Sequence, residues 1–185
     1  MAGFKYVGTD SQGDVTGKVK TFYVTTASDV IGIGDVVLVD GTAHTDGRAS
    51  VDLGTANTAN TGVVVGIAID SMVAGENLTT NYLASGASGT IMVNTDPFAL
   101  YEVEVANGPL AVTDVQLNAP LVATAGTVSG VLFTSNMKVN ATGKATTATL
   151  PFRVVALKED ASGTLGNKAI VRVNASTSNI GATGI

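Results

Sequence analysis

A single histidine, two glutamates on one strand and a spaced run of aspartates come nearest to carrying chemistry in this sequence. His44 is the only histidine, and there is no cysteine. It sits in a polar stretch, Thr42-Ala43-His44-Thr45-Asp46. General-base work needs a positioned partner and a nucleophile to activate. No G-x-S-x-G elbow occurs in the chain, so His44 reads as a solvated loop side chain. Glu102 and Glu104 fall on the same face of an alternating strand. Paired carboxylates can act as acid and base on glycosides, but tryptophan is absent and aromatic residues are only 5%, so surfaces for stacking sugars are scarce. The pair reads as wet surface. Asp35, Asp40, Asp46 and Asp52 invite a calcium reading. Their spacing is not that of a twelve-residue calcium loop, and aspartate is a common turn residue. Gly32-Ile33-Gly34 lacks the lysine that a phosphate-cradling loop needs. No catalytic residue, metal site or cofactor is expected.

The elements that would position these residues are strands. Phe4 to Val7, Lys18 to Val24 and Val36 to Val39 are strand segments separated by Gly/Asp turn signals. Residues Thr42 to Asn60 are polar and read as one long surface loop. Val63 to Ile69 is a continuous apolar run, the pattern of a strand buried on both faces. Thr90 to Val93 is a further short strand, ended by Asp96-Pro97 because proline donates no ladder hydrogen bond. Tyr101 to Val105 alternates, burying Tyr101, Val103 and Val105 and wetting the two glutamates. Asp114 to Leu121 has room for one short helical turn. Val131 to Phe133, Phe152 to Leu157 and Ala169 to Asn174 complete the strands. No helical period is sustained. The fold class expected is all-β, an antiparallel barrel or sandwich with long polar loops and little or no helix. Residues 1–174 read as one β-domain, with two sub-barrels meeting near residue 87 as the alternative. Residues 175–185 read as a flexible tail.

Composition narrows the partners. Hydrophobic residues are 45% of the 185, but charged ones are only 14%, well below the usual quarter. Mean hydropathy is +0.34. A surface this poor in charge suits burial against other proteins. The net charge is −5, and the ten basic residues are scattered, so nucleic acid and anionic membranes are not expected partners. The first residues lack the apolar stretch of a signal peptide, and the longest apolar run is too short to span a bilayer. A chain kept in a cytoplasm is the expectation.

Five segments in order carry a resemblance. They are Gly34-Asp35-Val36-Val37-Leu38, then Gly62 to Ile67, then Asp96-Pro97-Phe98-Ala99-Leu100-Tyr101-Glu102-Val103, then Thr149 to Leu157, then Lys168 to Asn174. This order resembles the capsid cement, or head-decoration, proteins of tailed bacteriophages. The chain departs from the pattern at Phe98-Ala99, at Phe152 before Arg153, and in a longer tail. The resemblance implies a structural virion protein that binds the outside of an assembled shell in a bacterial cytoplasm. Its partner would be the major capsid protein, with copies of itself as a dimer or trimer as a further partner. Contacts would come from loops and termini, and the candidates are Phe4, Tyr6, Ile180 and Ile185. Phe4 and Tyr6 read equally well as core residues of the first strand. A tail or fibre module, and then a carbohydrate-binding β-module, are the alternative readings.

Overall fold

The computed structural model describes residues 3–9, 18–58, 60–67 and 82–174. In chain order the strands begin β1 (Lys5–Thr9), β2 (Val19–Val24), β3 (Ile31–Gly32), β4 (Val36–Ala43) and β5 (Ala49–Leu53). They continue β6 (Gly62–Ile67), β7 (Tyr82–Leu83), β8 (Gly89–Asn94), β9 (Ala99–Ala106), β10 (Asn118–Ala119) and β11 (Leu121–Val122). The last are β12 (Thr127–Ser129), β13 (Leu132–Thr134), β14 (Lys138–Asn140), β15 (Phe152–Glu159) and β16 (Leu165–Val173). The chain is all-β, and Val112–Asp114 makes one 3-10 turn.

Two assemblies account for most strands. The first is a closed barrel in the order β2-β5-β4-β6-β8. Its pairings are antiparallel except that β2 runs parallel to β5, where Tyr23 meets Ser50. The second is a seven-stranded sheet in the order β10-β15-β16-β9-β14-β11. β9 is flanked by β16 on one side, while β1 and β14 share the other. Two small pairs, β3 with β7 and β12 with β13, stand outside both.

Strand alternation joins the assemblies. Successive side chains of a strand point to opposite faces. Val37 and Val64 face the barrel interior with Val24, Val51, Ile91 and Val93. Their neighbours Val36 and Val63 face the other way, into a core with Phe4, Tyr101, Phe152 and Val171. This is the physical reason for the apolar run in β6: both of its faces are inside. The barrel wall is one side of the second core, and the seven-stranded sheet is the other.

The expected loop from Thr42 to Asn60 is corrected. It contains the end of β4 and all of β5, and Ser50 and Val51 are fully buried. Ala49, Val51 and Leu53 alternate toward the barrel interior, while Ser50 is buried on the opposite face of the strand. The Ser50 hydroxyl is satisfied by Thr25 at 2.9 Å. Closure of the barrel makes this a strand, and that is a non-local cause.

One glycine fixes where the sheet meets the 3-10 turn. Gly166 in β16 has φ +88°, and a Cβ there would lie 2.0 Å from the Leu110 carbonyl oxygen. The same peptide accepts the Leu110 N–H at 3.0 Å. Gly166→Ala combines a left-handed backbone with a backbone clash. It is expected to lower stability by about 2–4 kcal/mol, read as a lower urea midpoint at unchanged slope.

Candidate subunit-contact surface

The residues that looked chemical are held in separate local structures. His44 stacks on Tyr23 with ring centroids 3.8 Å apart, and its Nδ1 lies 3.0 Å from Asp46 Oδ1. Arg48 donates from Nε to Asp46 at 2.7 Å and from Nη1 to Thr90 Oγ1 at 3.1 Å. The hydrogen bond from Arg48 is the main reason the Asp46 carboxyl is held well below the usual carboxylate range. These contacts brace the β4–β5 connection. Asp40 accepts from the Thr42 N–H and hydroxyl, and Asp52 from the N–H and hydroxyl of Ser28. Asp35 is buried in the turn before β4. The four aspartates therefore do not converge.

Glu102 and Glu104 belong to a ladder of ion pairs on the outer face of the seven-stranded sheet. Glu102 takes Lys158 and Lys168, and Glu104 takes Lys138 at 2.7 Å. The hydrogen bond from Lys158 leads the causes that lower the Glu102 pKa. Neighbouring strands thus meet as opposite charges, which stabilises a wet sheet face modestly. Asn140 and Asn174, each followed two residues on by Thr or Ser, work locally. Asn140 accepts from Thr142 N–H, and Asn174 donates to the carbonyls of Ala148 and Leu150.

Of the candidate contact residues, Phe4 is buried, with its ring stacked on Phe152 at 4.6 Å and edge-on to Tyr101. Tyr6 is exposed on β1 and packs edge-on against Tyr101. Ile180 and Ile185 lie outside the described residues.

A different surface stands out. The hairpin of β12 and β13 pairs with no other strand among the described residues. Its strands register Thr127 with Thr134, Val128 with Phe133 and Ser129 with Leu132. That leaves a two-residue loop, Gly130-Val131, and Gly130 at φ +62° takes the positive φ that such a loop asks of its first residue. Leu132 is 67% exposed, Val131 43% and Val128 39%. From Val115 to Met137 the sequence has no charged residue.

The hairpin is fastened at its root. Phe133 is its one buried side chain from Thr127 to Thr134. The ring lies where a Cβ of Gly32 or of Gly126 would be, 2.3 and 2.1 Å away respectively, and faces Tyr82. Asn136 Nδ2 donates to the Ala125 carbonyl at 2.9 Å and to Thr127 Oγ1 at 2.8 Å, closing the base. The tip thus presents exposed apolar side chains on a packed, hydrogen-bonded base, and preorganisation of that kind lowers the entropic cost of binding. The sequence carried one signal for it, β-prone residues on either side of Gly130-Val131 within the uncharged stretch.

Compared with protein-family models, with curated proteins and with solved structures, the chain gives no significant match to any.

Proposed function

We propose that this chain is a structural, non-enzymatic virion protein that binds the outer surface of an assembled tailed-phage shell and bridges major capsid protein subunits. The observation that carries the reading is the uncharged hairpin, with Val128, Val131 and Leu132 presented on a fixed base. Burying such a tip against protein costs little desolvation, whereas burying charge costs much. The charged ladder of Glu102, Glu104, Lys138, Lys158 and Lys168 lies elsewhere, on the outer face of the sheet. That division suits a protein with one face on a lattice and another in water.

The motif order supports the reading at the level of the scaffold. All five segments of the resemblance contribute to one core, through Val36, Val63, Tyr101, Phe152 and Val171. The mechanism is linkage: a ligand that binds only the assembled shell shifts the equilibrium toward that shell. Repetition across a lattice multiplies contacts that are weak one at a time.

The test is cosedimentation of the purified chain with assembled shells of the virus that encodes it, and with dissociated shell subunits. Saturable binding to shells, absent with dissociated subunits, is expected, together with a higher melting temperature of the particle. Equal binding to dissociated subunits, or none to shells, overturns the proposal. Long self-assembled species in light scattering would point instead to a tail or fibre component.

A further inference from the structure

The basic residues are scattered along the sequence, but folding gathers them. Six of the ten stand at outward positions of the seven-stranded sheet. Lys168 and Arg172 belong to β16, Arg153 and Lys158 to β15, Lys138 to β14 and Lys5 to β1. The strand register puts them on one face. Lys168 lies opposite Glu104 and Lys158, Lys5 opposite Glu102, and Arg172 opposite Leu100 and Arg153. The residues between them, Val139, Val154, Ala169 and Val171, point into the core and are fully buried. The acids at outward positions of these described strands are Glu102 and Glu104. Six cations against two carboxylates give the face +4 in a chain of net −5. Glu159 and Asp160 lie past the register shift after Lys158, and the Asp160 carboxylate is taken by Ser162, Thr164 and Asn167.

The charge is uneven along this face. At one end the two glutamates are met by Lys138, Lys158 and Lys168. At the other end Arg153 and Arg172 are directly opposite each other on antiparallel strands, a like-charge pair that costs stability. Arg153 Nε donates to Asn118 Oδ1 at 3.1 Å, a neutral acceptor that holds the guanidinium without cancelling its charge. Beside Arg172 opens a groove of about 190 Å³, lined further by Pro97, Phe98, Val173 and Asn174. Phe98 is 44% exposed, and Lys18 Nζ sits 5.4 Å from its ring centroid. An aromatic surface therefore adjoins the arginine pair.

We propose that this end of the sheet face docks an acidic polypeptide segment, with a carboxylate bridging Arg153 and Arg172 and a neighbouring apolar side chain in the groove at Phe98. A carboxylate offers two oxygens and each guanidinium a fork of N–H donors, so one acid can accept from both arginines. Its binding turns a repulsive cross-strand pair into a bridged one. A polypeptide fits this face better than a nucleic acid does. Glu102 and Glu104 stand in the same row and repel a continuous run of phosphates. The remaining outward positions of β9, β15 and β16 hold Leu100, Ile170 and Ala156, not rings on which bases could stack. A polypeptide can set acids over the arginines and neutral or basic side chains over the glutamates. The inference uses none of the hairpin's residues and does not rest on the shell reading.

The probe is a labelled peptide in which glutamate alternates with threonine and one phenylalanine follows the central glutamate. Titrated with the full-length chain in fluorescence anisotropy, it should bind saturably and weaken as salt is raised. Arg153→Gln combined with Arg172→Gln should weaken binding at least about tenfold, with the melting temperature of the free chain read alongside. Lys20→Gln, an equal loss of charge on an exposed position of the barrel strand β2, should bind as wild type. On the wild-type chain, amide chemical-shift changes should centre on Arg153 and Arg172, a readout that needs no variant. Absence of saturable binding, an equal loss in Lys20→Gln, or shift changes centred elsewhere overturns the site. Tighter binding of duplex DNA or of phosphatidylserine vesicles overturns the polypeptide as its occupant. Self-association at low salt that the double arginine variant abolishes would do so too, because the occupant would then be a second copy of the chain.

Discussion

Leu132→Asp is expected to abolish saturable binding to assembled shells while leaving the melting temperature of the free chain almost unchanged. Leu132 is 67% exposed at the hairpin tip, so its replacement removes little from the folded core, and surface changes of this kind usually stay within about 0.5 kcal/mol. The bound state is different. A leucine seated in a partner's apolar pocket is exchanged for a carboxylate that must be desolvated without a counterion. Truncating a central interface anchor alone costs about 2 kcal/mol or more, and a buried charge adds to that. A loss of at least thirtyfold in affinity per contact is the rough consequence. Glu159→Gln, on an exposed position of β15, serves as the control and should bind as wild type. If Leu132→Asp binds normally and Glu159→Gln does not, the hairpin is not the docking surface and the proposed orientation is overturned.

The largest effect on stability should come from Phe152→Ala. Phe152 is fully buried, stacked on Phe4 and flanked in register by Val173 and Ala119. Its ring sits in the core between Phe4, the sheet and the barrel wall. Removing it loses the transfer free energy of the ring and leaves a cavity that a strand-walled core cannot easily close. A cost of about 3–5 kcal/mol is expected, a large share of the stability of an ordinary domain. Ile91→Ala in the barrel interior should cost about 2–5 kcal/mol. Because β4 and β6 line both cores, each variant should lower one common calorimetric transition. Two separated transitions, with only one displaced in each variant, would show the cores to be independent.

The strands that were legible were those whose own residues alternate or are uniformly apolar. Tyr101 and Val103 point inward and Glu102 outward, as the pattern of β9 implies. Val63 and Val64 are both buried, as the run in β6 implies. β5 was illegible because its short alternation of Ala49, Val51 and Leu53 with Ser50 and Asp52 is embedded in a longer polar stretch, and only closure of the barrel buries it. The hairpin was legible as a strand at Val131 to Phe133, but not as a surface. Which of Leu132 and Phe133 faces inward is decided by the space that Gly32 and Gly126 leave for a ring, and Gly32 is far away in sequence. Phe4 and Tyr6 illustrate the same limit. Both are aromatic residues at the start of the chain, yet the stacked ring of Phe152 draws only Phe4 inside. Asp35 reads locally as a turn residue; its full burial is a product of topology.

The shared strands also bear on ancestry. β6, and β4 where it begins, have almost no outside: one side chain belongs to the barrel and the next to the core beneath it. A genetic crossover that exchanged the barrel for that of a distant relative would bring a wall shaped for another floor. Shuffling between the two halves should therefore yield few folded offspring, and the halves should be inherited as a pair. Exchanges confined to the hairpin, which pairs with neither sheet, should be far better tolerated.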